Sequence, residues 1–327
     1  MTPQAKDPSS KKERPQRRNK VTIFLGLALI AGCFVAARFL QSSDDATQLN
    51  LPVSKNGETK QPVPKDEVES ATLSLPDRIS QEAIDQADHP FDPLLQIGNA
   101  CIEKIDAEIL DYSATLTSQV RINGVLQEPR TIFCKIRHPK DSPDDKCTFS
   151  VYTKFVEPDA SAGQEAIWVD GWHEGNLVAH ITGVANLKRF YLDPNSRLAM
   201  NGTLHPIDAI GFRNLLVNMC KVGEQDRKYD ECIVTVTKDL QLNGRNCTMF
   251  EAKHPVKRDH FEFHIARLYI DNELEIPMAY EGYMWPEEEG GEPVLLERYH
   301  YSNVQINIGL EDIDFDPANE TYDYPAF

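Results

Sequence analysis

Histidines, clustered carboxylates and cysteines are the side chains of this sequence with chemistry to offer, and their spacing limits what each can do. His260 and His264 stand four apart, with His254 upstream. In a run that alternates like a strand, Phe261-Glu262-Phe263, four residues hold two side chains about 13 Å apart, too far to share one metal ion. They read as surface or hydrogen-bonded strand histidines. Glu287-Glu288-Glu289 and the set Asp312, Asp314 and Asp316 have the donor chemistry for calcium or acid–base work. A calcium loop, however, needs Gly at its sixth position, where Pro317 stands, so both are expected to be solvated acidic loops. Neither a GxSxG elbow nor a phosphate-cradling GxxxxGK[ST] or GxGxxG string occurs. No catalytic residue, metal ligand or cofactor is therefore expected, and the chain reads as non-enzymatic.

Of seven cysteines, Cys33 falls in an apolar N-terminal run, leaving Cys101, Cys134, Cys147, Cys220, Cys232 and Cys247. An even set suits an oxidising compartment. Equal steps back from a turn at Lys140-Asp141 place Cys134 opposite Cys147, the expected disulfide, worth about 3 kcal/mol in the chain-entropy model. By the same arithmetic a two-residue turn at Asn243-Gly244 sets Cys247 opposite Leu240 rather than Cys232.

The elements that must position these residues are mostly strands. A helix is expected over 93–109, where Leu94, Leu95, Ile97, Cys101, Ile102, Ile105 and Ile109 recur at steps of three and four. Residues 112–122 alternate, and Asn123-Gly124 supplies a tight hairpin that sets Ile122 against Val125 and Ala114 against Phe133. Alternating runs follow at 148–156, 165–172, 177–181, 232–238, 245–253, 261–270, 275–283 and 294–304. Their short connections predict an antiparallel meander. His205-Pro206 opens a second helix over 206–222, so a large sheet has two helices to cover it. Trp168, Trp172, Trp285, Tyr299 and Tyr301 read as core aromatics.

Residues 1–20 carry seven Lys or Arg, while the whole chain sums to −17, so the remainder is strongly acidic and a nucleic-acid partner is disfavoured. The uncharged run from Val21 to Ala37 spans roughly 26 Å as a helix, close to the shortest bilayer span. With positive charge before it, the expected organisation is a basic cytoplasmic segment over 1–20 and a signal anchor or signal peptide over 21–40. Cleavage after Ala37, or lipidation at Cys33 within Ile30-Ala31-Gly32-Cys33, are the alternative forms of processing. A polar linker over 41–76 follows, reaching roughly 35 Å by random-coil scaling, then a β domain over 77–316 and an acidic tail over 317–327. All three readings export the domain, to the periplasmic side of an inner membrane.

Several strings then combine: KIRHP at 135–139, FSVYTKF at 149–155, GQEAIWV at 163–169, GNLVAH at 175–180, LAMNGTLHPI at 198–207, NGRNC at 243–247, DNELEIP at 271–277, YEGYMWP at 280–286 and YHYSNV at 299–304. Over 94–316 they resemble a bacterial exported family known as domain of unknown function fifteen-seventy-one. Its likeness to lipoprotein carriers of the LolA and LolB type implies a mainly β (α+β) fold, a curved antiparallel half-barrel lidded by helices. The same likeness implies a concave apolar face able to hold acyl chains of a lipid or lipoprotein. The insertion KDSPDDKC departs from the family pattern and lengthens one hairpin. An apolar ligand pocket is expected among Phe133, Phe149, Val151, Phe155, Phe263 and Met278; a structural or protein-interaction role in the envelope is the alternative, and a secreted hydrolase without local motifs ranks third.

Overall fold

Twelve strands form one open, curved antiparallel sheet, and the helices lie together on one of its faces. The computed structural model describes residues 75–142, 145–183 and 188–326. The basic segment and the anchor, with Cys33, lie outside them, as does the expected linker up to residue 74; its last two residues, Leu75 and Pro76, begin a helix. Among the described residues no helix is long and apolar enough to cross a membrane.

The chain opens with two short helices, α1 (Leu75–Arg78) and α2 (Gln81–Asp85), and a long one, α3 (Phe91–Glu108). Strand β1 (Asp111–Ile122) follows, then β2 (Val125–Leu126), β3 (Arg130–Arg137), β4 (Lys140–Ser142), β5 (Asp145–Cys147), β6 (Ser150–Glu157), β7 (Glu165–Val169), β8 (Leu177–His180) and β9 (Phe190–Leu192). A connection containing α4 (Phe212–Asp226) leads to β10 (Ile233–Leu242), β11 (Arg245–Lys253), β12 (Ile265–Asp271), β13 (Pro277–Met284) and β14 (Val294–Ile306). The sheet order is β10-β11-β12-β13-β14-β1-β3-β6-β7-β8-β9, with β2 on β1. Strands β9 and β10 are thus the two edges, and the connection between them must cross the whole sheet. That crossing carries α4 over the concave face.

One face of the sheet buries Tyr112, Ala114, Leu116, Ile136, Val151, Phe250, Leu268, Met278 and Tyr301 against α3 and α4. Five register irregularities, at Ser113/Thr115, Thr131/Ile132, Thr237/Leu240, Tyr269/Ile270 and Gly282/Tyr283, add the local bends that curve such a sheet. At the β10 edge the Gln81 carboxamide behaves as a peptide group: Nε2 donates to the Val234 carbonyl at 3.0 Å and Oε1 accepts from Val236 N at 3.0 Å. The edge is thereby partly covered.

The opposite face carries a second core of Tyr152, Ile167, Val169 and Phe315, with Phe133, Leu310, Tyr322 and Tyr324 packed on it. The segment expected as a tail over 317–327 is irregular but lies across this face. Lys135 Nζ donates to Asp314 at 2.6 Å and to Tyr322 Oη at 3.0 Å. Glu165, buried, takes Tyr152 Oη at 3.0 Å, Lys154 Nζ at 2.9 Å, His180 at 3.0 Å and the Asp323 amide at 3.1 Å.

Three expectations are corrected here. The turn at Asn123-Gly124 forms and sets Ile122 opposite Val125, but Ala114 pairs with Cys134 and Phe133 with Thr115. Pro129 has no N–H to continue the ladder, and one extra residue between β2 and β3 shifts the register by one, which turns Phe133 to the other face. Second, the hairpin holding KDSPDDKC turns between Ser142 and Asp145, so Cys147 faces Lys140 and Cys134 faces Thr153. The Cys134–Cys147 disulfide is not formed, and Cys101, Cys134, Cys147, Cys220, Cys232 and Cys247 are all free thiols. Third, β12 begins at Ile265, so the 261–264 run is a loop; the His264 carbonyl accepts the His254 N–H at 2.8 Å, and the His264 ring Nδ1 lies 2.8 Å from the His254 carbonyl.

Candidate functional site

Helix α4 spans the concave face without filling the space beneath it. Its apolar stripe, Phe212, Leu215, Leu216, Met219 and Val222, follows the helical repeat and turns toward the sheet. Gly211 makes the entry possible: its φ is +119°, and a Cβ there would lie 3.0 Å from Tyr112 Oη. That hydroxyl accepts the Phe212 N–H at 3.0 Å, replacing the side-chain cap that glycine lacks.

Between α4, the preceding loop and strands β1, β3, β13 and β14 lies a cavity of ≈ 560 Å³. Leu116, Ile132, Ile210, Leu215, Met219 and Phe263 give it apolar walls. On the other side of α4, against α3 and β11 to β13, is a second space of ≈ 70 Å³. Met219, Val222, Asp226, Phe263 and Tyr280 line both, so α4 is a partition between two compartments.

Polar groups gather at two points. In one, His205 Nε2 meets Glu297 Oε2 at 2.8 Å and Tyr299 Oη donates to the same oxygen at 3.1 Å. Glu297 is buried while the His205 side chain is 48% exposed, so this cluster sits where the cavity opens. The hydrogen bond to Glu297 holds the His205 pKa above its ordinary value, and burial pushes the Tyr299 and Tyr280 phenols up. Thr203 Oγ1 fixes the His205 backbone, donating to its carbonyl at 2.9 Å and accepting from its amide at 3.3 Å. The second point is Asp226, the last residue of α4, whose carboxylate lies 3.4 Å from His254 Nε2. Burial first, then the charge of Glu262, pushes Asp226 up to about 6, while burial lowers His254.

The model of the family described as Protein of unknown function (DUF1571) matches residues 109–324, more than half of the chain. The chain belongs to this family. No curated protein matches the sequence. Among solved structures the chain is similar to a DUF1329 family protein from Desulfovibrio piger, at 12% identity over 68% of this chain and 97% of that one, with a TM-score of 0.34. It is also similar to a putative outer membrane lipoprotein-sorting protein domain from Vibrio parahaemolyticus (12% identity, 68% and 95% covered, TM-score 0.33). A third is the Mycobacterium tuberculosis lipoprotein LppX (11% identity, 69% and 100% covered, TM-score 0.37).

Of the six residues expected to line a pocket, Phe263 borders both compartments. Val151 and Met278 are buried in the core of the same face. Phe149 packs on that core, in edge contact with Trp168. Phe155, partly buried, lies on the same strand face as Val151, with the Arg130 guanidinium 5.9 Å from its ring centre. Phe133 is on the far face beneath the C-terminal segment. The sequence reading passed over Asp226, His205 and Glu297. A signal was present for two of them: Glu297 shares strand phase with Tyr299 and Tyr301, and Asp226 continues the stripe of α4 by one more step. A charge in an apolar phase has to be either paired or used. The buried thiols have no comparable role, since burial pushes both Cys101 and Cys134 up to about 12, where the nucleophilic thiolate is scarce.

Proposed function

We propose that this chain is a non-enzymatic, membrane-tethered protein of a bacterial envelope that binds an apolar ligand, a lipid or lipoprotein acyl chain, beneath α4. The observation that carries the reading is the ≈ 560 Å³ cavity with apolar walls and a polar cluster at its opening. Ligand cavities of this kind run to roughly 300–1,000 Å³ and pair apolar walls with a few placed polar groups. At roughly 30 Å³ for a water-sized group, the space suits on the order of twenty methylenes. Each buried methylene contributes about 0.8 kcal/mol, so half that number gains about 8 kcal/mol before the costs of association. A purely structural module would fill its concave face with its own side chains. The basic segment over 1–20 and the apolar run after it support the tether, and the polar stretch over 41–76 supports a leash that lets the domain reach a partner near the membrane.

The test is native mass spectrometry of the full chain in amphipol, with titration of a fluorescent acyl probe. Co-purified lipid or saturable uptake is expected, and Ala209→Trp, which projects bulk from the cavity wall, should weaken uptake at least tenfold. Absence of both lipid and uptake would refute the reading.

The His205–Glu297 pair also favours a second reading, because a histidine on a carboxylate in a cleft is half of a hydrolase triad. Among the described residues no serine or threonine hydroxyl bonds the His205 ring, and Thr203 is engaged with its backbone. Ester hydrolysis that disappears in His205→Gln would establish that reading instead.

A further inference from the structure

The apolar walls of the cavity are interrupted at the partition by two buried acceptors that face each other. Asp226 is 4% exposed and borders both compartments. Among the described residues none donates a hydrogen bond to its carboxylate. His254 Nε2 lies 3.4 Å from it, and that nitrogen is itself buried without a hydrogen-bond partner. The tautomer of His254 is fixed from the other side of the ring. Nδ1 lies 2.9 Å from the Phe263 carbonyl, which can only accept, so Nδ1 carries a proton and the neutral ring presents Nε2 as an acceptor.

Charging the ring to make an ion pair is opposed on several sides. Burial disfavours the ionised form of both groups, Glu262 faces Asp226, and His260 and His264 lie near His254. Asp226 also stands at the C-terminal end of α4, where the helix dipole disfavours negative charge. Unpaired buried acceptors are costly, and one donor seated beside the pair, whose 3.4 Å separation leaves no room between, can bond one of them or share its hydrogen with both. Phe91, Val222 and Phe263 around the pair carry no donor, and the Tyr280 phenol is engaged with Glu297.

We infer that Asp226 and His254 form a donor-binding station inside the cavity, and that the ligand is an amphiphile carrying a neutral hydrogen-bond donor, a hydroxyl or amide N–H, on its apolar portion. This deepens the reading of the cavity as an apolar-ligand site and rests on it. Buried charge-assisted hydrogen bonds discriminate strongly, so the station sets which chains are held.

The experiment is competition against the fluorescent acyl probe on the full chain in amphipol, with methyl stearate and methyl hydroxystearate hydroxylated at mid-chain as a matched pair. A hydrogen bond to a charged group corresponds to roughly ten- to a hundredfold in affinity, so the hydroxylated ester should displace the probe at a concentration lower by that factor. In Asp226→Leu the preference should vanish while methyl stearate still competes. Asp226→Asn, close in shape and able to donate its own amide to His254, should lose the preference too and guards against a misfolded leucine variant. Equal displacement by the two esters in the wild type, or a preference that survives both substitutions, overturns the station and leaves the cavity reading standing. No uptake of the probe by the wild type overturns both.

Discussion

Replacing Tyr112 by Phe removes one oxygen atom from the interior and should loosen the helix that roofs the cavity. The Tyr112 hydroxyl accepts the Phe212 N–H at 3.0 Å, and both residues are fully buried. Gly211 has no side chain to take over, so the first amide of α4 would be left without an acceptor and away from water. Such a loss costs about 1–3 kcal/mol. The ring itself stays, because Tyr112 stacks on Phe212 at 4.1 Å and 8° and phenylalanine preserves that contact. For a domain of this size each kcal/mol moves the melting temperature by about 2–4 °C, so a central cost of about 2 kcal/mol corresponds to a fall of about 4–8 °C. Thermal unfolding followed by near-ultraviolet circular dichroism measures it. Hydrogen exchange gives a local readout, since the Phe212 to Leu215 amides should exchange faster than those of β1, and acyl-probe uptake should weaken with them. A melting temperature within a degree of the wild type, with unchanged exchange at Phe212, would refute the capping role of Tyr112.

Glu165→Ala should be among the most damaging single changes, because it leaves the fully buried His180 and the Tyr152 hydroxyl without their carboxylate, while Lys154 keeps Asp323. The expected loss is about 3–5 kcal/mol, read as a lower midpoint in urea. Removal of residues 311–327 uncovers Phe133, Tyr152, Ile167 and Val169 and should produce strong binding of a hydrophobic dye and aggregation. For acid stability the test group is Glu281. Burial acts to raise its carboxyl, but hydrogen bonds from His300 and Tyr283 and the charge of Arg298 outweigh that and hold it at about 2. A carboxyl depressed on folding stabilises above its ordinary 4.5 and loses that contribution as pH falls toward 2. Glu281→Gln should therefore be less stable near neutrality and show a flatter stability profile between those limits, measured by urea unfolding at stepped pH.

How much of this was legible in the sequence depended on whether a local turn or a distant crossing decided the outcome. The Asn243-Gly244 turn fixed its own hairpin, and Leu240 does face Cys247 as the count required. The helix expected over 93–109 is α3, and the one expected over 206–222 starts later, at Phe212, after a short 3-10 turn at Ile207–Ala209. The antiparallel pairing of strands joined by short connections was likewise legible, whereas the pairing of β14 with β1 and the long crossing from β9 to β10 were not. Registers that depended on a single residue were not. One extra residue between β2 and β3 reversed the face of Phe133, and a turn three residues later than expected separated Cys134 from Cys147.

The cavity was the least legible feature because no single segment contains it. Its walls come from β1, β3, β13, β14 and α4, brought together only because the chain must travel from β9 to β10 across the whole sheet. A list of apolar strand residues therefore selects the core, where Val151 and Met278 pack tightly, as readily as it selects the space left open beside them. What separates the two is polarity out of phase with its surroundings. A core position holds a carboxylate only with its partners built in, as around Glu165, whereas a wall that receives a ligand can hold one left unpaired. Asp226 at the end of the apolar stripe of α4 is such a residue, and Glu297, on the phase of Tyr299 and already held by His205, is a second carboxylate that borders the space under α4. A charged residue that interrupts an amphipathic repeat on its buried side thus points to the space under α4 in this chain better than the hydrophobic residues that complete the repeat.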